Sequence, residues 1–251
     1  MTDRLPLRRL ARAPDPCEPG ALRVVYDLLY IEHGPQHWWP GDTPFEIMVG
    51  AILTQNTAWI NVKRAIANLK SARALSAHAI LKMAPKRLAR HLTPSGYFNV
   101  KTIRLKNLCK WFLGSGGFRP LRRIQTEALR RDLLDVHGIG PETADDILLY
   151  AFERPVFVID AYTRRLFGRL GLLDARQAYE VLRACFENAL GPDVMLFSEY
   201  HALIVRHAKE ICRPKPRCDD CCLATRCQSG SPLSSRTLMH PNPASLPHVE
   251  R

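Results

Sequence analysis

No apolar run in this chain approaches the roughly 18 residues that a bilayer-spanning helix needs, so a membrane-embedded role is not expected. The opening stretch, MTDRLPLRRLARAPDPCEPG, lacks the apolar core of a secretion signal. It is rich in Arg and Pro and reads as a disordered basic arm over residues 1–19, with an organelle transit peptide as the alternative. Strand-type alternation is nearly missing. The one β-branched cluster, VFVI at 156–159, is too short to found a sheet. No repeat of solenoid period is present, which excludes a stacked-repeat architecture. Acidic charge is also scarce. Against 36 Lys and Arg there are 24 Asp and Glu, for a formal net charge of +12. Such a balance favours a polyanionic partner, nucleic acid before an anionic membrane surface.

What remains is a helical pattern. The Thr43-Pro44 pair reads as an N-cap followed by a first helical position, ahead of the apolar stretch 45–53. Further helices are predicted over 59–69, 78–91, 100–113, 126–136, 141–152, 161–170, 175–189 and 192–211. Gly- and Pro-containing breaks separate several of them. The fold class is therefore all-α, with about ten helices. The Ser/Pro-rich segment 229–251 is expected to be disordered.

Eight cysteines are present. Cys17, Cys109 and Cys185 are scattered, whereas Cys212, Cys218, Cys221, Cys222 and Cys227 crowd into sixteen residues. A disulfide framework would spread its cysteines along the chain; this crowding points to metal. Cys212, Cys218, Cys221 and Cys227 have the spacing C-x5-C-x2-C-x5-C. Four thiolates so spaced can hold a 4Fe-4S cluster or a zinc ion, and spacing alone does not separate the two. Cys222 is taken as the spare, able to substitute for Cys221.

Two other stretches carry chemistry. In LLDVHGIGPETADDILLYA, 133–151, a helix expected to end at Val136 meets the turn His137-Gly138-Ile139-Gly140, and Pro141 starts the next helix. Glycine in such a turn permits positive φ and close approach of a bulky partner. The unpaired N–H groups of the helix start then suit one DNA phosphate without reading sequence. An ordinary helical hairpin would also use glycine here. In PVFVIDAYTRRLFGRLG, 155–171, an apolar run delivers Asp160 to a helix start, where it suits an N-cap.

Together these stretches resemble the endonuclease III superfamily of helix-hairpin-helix DNA glycosylases, over roughly residues 25–228. The resemblance implies a six-helix barrel with the hairpin over 38–154. Residues 20–37 and 155–228 would form a second helical domain ending in an iron–sulfur loop. It assigns Asp160, twenty residues beyond Gly140, as the catalytic carboxylate. It gives His137, Gly138 and Gly140 to DNA, and Cys212, Cys218, Cys221 and Cys227 to a 4Fe-4S cluster. This loop is one residue shorter in its first gap than the family's usual one. Strand-cutting members carry a Lys two residues after the second hairpin glycine. Glu142 stands there in this chain, so no Schiff-base lyase step is expected unless another amine, such as Lys63 or Lys101, takes over.

Within the superfamily the 3-methyladenine DNA glycosylase branch is the most similar. The shared pieces are WWP at 38–40, FEIMVGAILTQNT at 45–57, PSGYFN at 94–99 and GIGPETADDIL at 138–148. By that resemblance Trp38 and Trp59 sandwich an extruded base, with Trp39 beside them. Glu142 joins Asp160 in the catalytic pocket, and Gln55 and Asn56 fill the hole left in the duplex. That branch often lacks the cluster cysteines. The partner is then double-stranded DNA with a damaged base, met by a monomer wherever the genome lies, the cytoplasm in a bacterium. Methylation at N3 makes adenine cationic, which suits aromatic faces and a carboxylate. A glycosylase for oxidised or mismatched pyrimidines is the alternative. A non-enzymatic DNA-binding relative is a further one, against which Asp160 argues.

Overall fold

The computed structural model describes residues 17–230. The expected basic arm and tail therefore lie outside the described residues, apart from 17–19 and 229–230 at their inner edges. Twelve α-helices are present among the described residues, and no strand. They are α1 (Pro19–His33), α2 (Pro44–Leu53), α3 (Trp59–Ser71), α4 (Ala77–Lys82), α5 (Pro85–Leu92) and α6 (Phe98–Gly114). After these come α7 (Phe118–Leu121), α8 (Thr126–Leu134), α9 (Pro141–Asp146), α10 (Ala161–Leu170), α11 (Tyr179–Leu190) and α12 (Val194–Glu210). None is long and apolar enough to cross a membrane.

Local chemistry sets most boundaries. The Thr43 Oγ1 accepts from Glu46 N at 3.1 Å, with Pro44 in the first turn, so α2 starts as expected. The helix expected over 78–91 is two. Met83 and Ala84 are extended, and Pro85 opens α5 because its ring presets φ while excluding helical geometry before it. The helix before the hairpin ends at Leu134, not Val136. The one expected over 141–152 is α9 for six residues and a π-helical turn over Ile147–Ala151. The helix expected from 175 starts at Tyr179. Helix α1, which no sequence pattern singled out, buries Leu22, Val25 and Leu29 on one face.

The buried side chains form two clusters. One gathers Met48 to Leu53 of α2 with apolar residues of α3 to α9 and ends at Val156. The other joins α1, Phe157 to Ile159, α10, α11, α12 and Leu223. The π turn sits where they meet: Leu148 belongs to the first, Leu149 and Tyr150 to the second.

An ionic network also crosses this junction. Arg130 of α8 bonds Asp145 of α9 twice, at 2.6 and 3.1 Å, and Glu180 of α11 at 2.8 Å. From α11, Glu187 accepts from Phe157 N and the Tyr179 hydroxyl accepts from Ile159 N. These bonds satisfy an extended segment that has no sheet to pair with. They also fix the chain immediately before Asp160. Cys17 and Cys185, scattered in sequence, form a disulfide that ties the approach to α1 onto α11 across 168 residues.

Candidate active site

Asp160 is the N-cap of α10. Its Oδ1 accepts from Thr163 N at 2.7 Å and from Thr163 Oγ1 at 2.8 Å. Its Oδ2 lies 3.5 Å from Nε2 of His201 on α12, an ion-pair contact and too long for a good hydrogen bond. The carboxyl is 7% exposed. Burial works against its charge, but His201 and the two Thr163 donors outweigh that and hold Asp160 below its ordinary range. His201 is raised in turn: burial opposes its charge, and Asp160, Asp146 and Glu142 favour it. The Tyr150 hydroxyl meets His201 Nδ1 at 2.7 Å, which fixes the ring. Asp160 is thus an ionised carboxylate with fixed geometry, suited to stabilise positive charge on a sugar.

A pocket of about 340 Å³ opens above it, lined among others by Trp38, Trp39, Trp59, Glu142, Asp146 and His201. Glu142 and Asp160, assigned together from sequence, do face one space. Glu142 is pushed up to about 7, first by burial and then by Asp160, with His201 and Arg164 pulling the other way. Water reaches Glu142 through the open mouth and tempers that rise.

The three tryptophans meet the pocket but form no ready-made slot. Trp38 and Trp59 lie 4.7 Å apart at 66°, edge to face. A flat base between two stacked rings needs a gap of about 7 Å, twice an ordinary contact distance. The expected sandwich therefore requires one ring to move. Trp39 is the best anchored of the three. It packs on Tyr150 at 5.1 Å and against Gly50 of α2, where an added Cβ would sit 3.1 Å from the indole. The Trp38 carbonyl accepts from Ser198 of α12 at 3.1 Å.

At the hairpin, Gly138 has φ +102° and packs so closely on Arg104 that an added Cβ would overlap its side chain. Gly140 differs from expectation. Its φ is −96° and nothing lies near its would-be Cβ, so glycine is not required there by the chain itself. His137 is exposed, its carbonyl held by Asn107 at 3.1 Å. Gln55 is tied down: it donates to Gly138 O at 3.1 Å and Thr143 Oγ1 at 2.9 Å, and accepts from Arg104. Asn56 sits exposed at the tip of the α2–α3 turn with φ +53°. Of the two expected hole-fillers, Asn56 is free and Gln55 braces the hairpin. Neither caps a flanking helix.

Cys212, Cys218, Cys221 and Cys227 line one cavity of about 210 Å³ between α10 and the end of α12. Cys222, taken from sequence as the spare, does not line it. Arg169 donates to Cys212 Sγ at 3.3 Å, and His207 Nε2 lies 3.4 Å from Cys221 Sγ. Among the described residues, no three His, Cys, Asp or Glu side chains converge as single-ion ligands do.

Three pocket groups, His201, Asp146 and Lys209, were given no role from sequence, nor was Tyr150, which holds His201 from behind. The signal for Asp146 was present, since the adjacent acids of TADDILLYA interrupt an otherwise apolar run. The substitute amines named from sequence are misplaced. Lys101 is 1% exposed and donates to the carbonyls of Leu53 and Ser95, at 2.9 and 2.7 Å. Lys63 is exposed on α3 and does not line the pocket. Lys209 does line it, its Nζ 5.5 Å from the Tyr162 ring.

Comparison with known proteins agrees with this architecture. The pattern of the HhH-GPD superfamily of base excision DNA repair proteins matches residues 49–192. A protein of Methanocaldococcus jannaschii, named only provisionally as a DNA repair glycosylase, is 43% identical over 208 residues, 82% of this chain and 94% of its own length. Endonuclease III of Thermotoga maritima is 25% identical over 186 residues, 74% of this chain and 83% of that protein. Among solved structures, H. pylori 3-methyladenine DNA glycosylase bound to 1,N6-ethenoadenine superposes with a TM-score of 0.64 at 30% identity, covering 76% of this chain and 95% of that one. An endonuclease III–DNA complex shares the fold with a TM-score of 0.74 at 18% identity, over 84% and 96%. The hairpin, the capped Asp160 and the matched span agree: the chain belongs to the HhH-GPD superfamily of base excision DNA repair proteins.

Proposed function

We propose that the protein is a monofunctional DNA N-glycosylase that extrudes a damaged base from duplex DNA and removes cationic alkylated purines such as 3-methyladenine. One observation carries this reading: an ionised, geometrically fixed Asp160 shares its pocket with three tryptophans and Glu142. The likeness to the H. pylori 3-methyladenine glycosylase supports it.

The chemistry follows from those groups. A base must leave the stack to reach the pocket. The hairpin holds a phosphate at the start of α9, and the +12 net charge supports sequence-independent affinity. Trp38 and Trp59 attract a cationic ring through their π faces, each by about 2 kcal/mol or less at an open site. As the bond between C1′ and the base breaks, its electron pair leaves with the base, which departs neutral. Positive charge then grows on the sugar, and Asp160 stabilises it until water adds at C1′ and releases its proton to solvent. The product is an intact strand with an abasic site. Glu142 cannot form an imine, so this route has no strand-cutting step.

The cysteine cavity fits a 4Fe-4S cluster held by Cys212, Cys218, Cys221 and Cys227. The four thiols line one cavity, with Arg169 beside Cys212 and His207 beside Cys221. When bound, the cluster would supply a covalent staple for the loop after α12. It takes no part in base removal. The four-cysteine loop also keeps the second reading open, a glycosylase for oxidised or mismatched pyrimidines, since the alkylpurine branch often lacks it.

Borohydride reduction during turnover tests the monofunctional assignment. The expected outcome is no covalent protein–DNA adduct, with strands that break only on later alkali. Efficient trapping would overturn it and would point to Lys209, the amine that lines the pocket.

A further inference from the structure

Asp146 has no role in the mechanism above, yet it lines the pocket with a buried oxygen that nothing in the chain satisfies. It ends α9, is 7% exposed, and lines the same space as Trp38, Trp59 and Asp160. Its Oδ1 is buried with no hydrogen-bond partner. Its neighbour Asp145 shows what the fold does with a carboxylate it needs for itself, binding it twice through Arg130. Buried polar atoms without partners are rare because they cost folding free energy; this one is enclosed, but it belongs to a carboxyl whose residue lines the pocket, where a ligand could supply what the chain does not.

We propose that Asp146 is the specificity-determining residue that reads the hydrogen-bonding edge of the extruded base, and that the edge it selects is the adenine type. This rests on the glycosylase reading of the pocket. Its surroundings decide which form of the carboxyl meets the base. Burial, Glu142, Asp160 and Asp145 all favour the protonated acid, and only His201 opposes them. Tyr150, from the next helical turn, adds no positive charge. A protonated carboxyl offers one donor and one acceptor side by side. Adenine presents the complement, a ring nitrogen that accepts beside an exocyclic amino group that donates. The major-groove edge of guanine presents two acceptors, and methylation at N7 removes one of them. Asp146 would therefore hold 3-methyladenine by two hydrogen bonds and leave the corresponding edge of 7-methylguanine poorly matched. The tryptophans and Glu142 select for charge; Asp146 would select among charged bases.

The test uses the full chain, wild type and three variants: Asp146→Asn, which keeps one donor and one acceptor, and Asp146→Leu and Asp146→Ala, which keep neither. Methylated duplex DNA is the substrate, and 3-methyladenine and 7-methylguanine are quantified as released bases. In parallel, each free base is titrated while the fluorescence of the pocket tryptophans is followed. The expected result is a loss of about tenfold or more in the ratio of 3-methyladenine to 7-methylguanine release for Leu and Ala, as for other two-bond base contacts. Asn should retain the wild-type preference. Quenching by free 3-methyladenine should weaken in parallel, and the melting temperatures of Leu and Ala should not fall, because no internal partner is lost. If Leu misfolds, Ala carries the comparison. An unchanged ratio with unchanged quenching overturns the inference while leaving the glycosylase reading intact. If the wild type releases neither base, the glycosylase reading fails, and the titration still decides the role of Asp146. Equal quenching of wild type and variants by 3-methyladenine would then overturn it.

Discussion

The two walls of the pocket are built on different terms. On the Asp160 side the reacting carboxylate is fixed from several directions: Thr163 donates to it, His201 stands in ion-pair contact, Tyr150 holds His201, and bonds from α11 fix the chain before Asp160, with Asp146 the exception. On the tryptophan side the rings meet edge to face, and Trp38 and Trp59 must part to admit a base. The difference teaches that the reacting charge is preorganised while recognition is left adjustable. That division suits a reaction whose leaving group is already activated by its own charge. A fixed counter-charge is needed in the transition state, and the aromatic wall can close on what the duplex delivers.

Asp160→Asn should break the comparison most severely. Asn still caps α10, so the fold and DNA affinity should persist. Single-turnover base release should fall by about a hundredfold to a thousandfold. Slowing of less than tenfold would remove Asp160 from the reaction.

Gly138→Ala strikes the DNA grip instead. Its positive φ and the overlap of a Cβ with Arg104 would distort the hairpin, and Arg104 would pull on Gln55. Duplex affinity, read by fluorescence anisotropy, should drop about tenfold or more for damaged and undamaged DNA alike. Gly140→Ala should do less, because its φ of −96° suits any residue.

Trp59→Ala sharpens the adjustable side. Release of an alkylated base should slow by about tenfold, in line with loss of a partly desolvated cation–π contact. Nonspecific DNA binding should be unchanged. Equal losses in both would make Trp59 a packing residue.

The smallest effect concerns pH. Burial and Asp160 raise Glu142 toward about 7, and solvent at the mouth tempers that rise, so its negative charge appears as pH climbs from the ordinary carboxylate range to about 7. Release of a cationic base should rise as pH increases up to about 7 in the wild type. Glu142→Gln should flatten that segment of the profile. A wild-type rate flat from acid to neutral pH would separate Glu142 from base recognition.

Much of this was legible in the chain itself. Thr43-Pro44 and VIDAYT carry their capping chemistry locally, and both helices start where those residues say. The hairpin glycine at 138 was readable for the same reason. Beyond the Thr163 cap, the surroundings of Asp160 were not. His201 lies 41 residues on and stands in no motif, and Tyr150, ten residues back, closes the hairpin stretch without a local sign of its role. Their meeting depends on α12 packing against the π turn, a tertiary event without a local signal. The Cys17–Cys185 pairing was hidden likewise by 168 residues of separation. The edge-to-face tryptophans were hidden because resemblance supplies identities and not ring angles.

The most direct measurement of the central claim is single-turnover base release by the wild-type protein from duplexes that each carry one defined lesion. The expected order has 3-methyladenine released fastest, with thymine glycol and mismatched thymine slow, since neutral bases forgo both the π-face and the carboxylate attraction. Faster release of thymine glycol or mismatched thymine than of 3-methyladenine would contradict it.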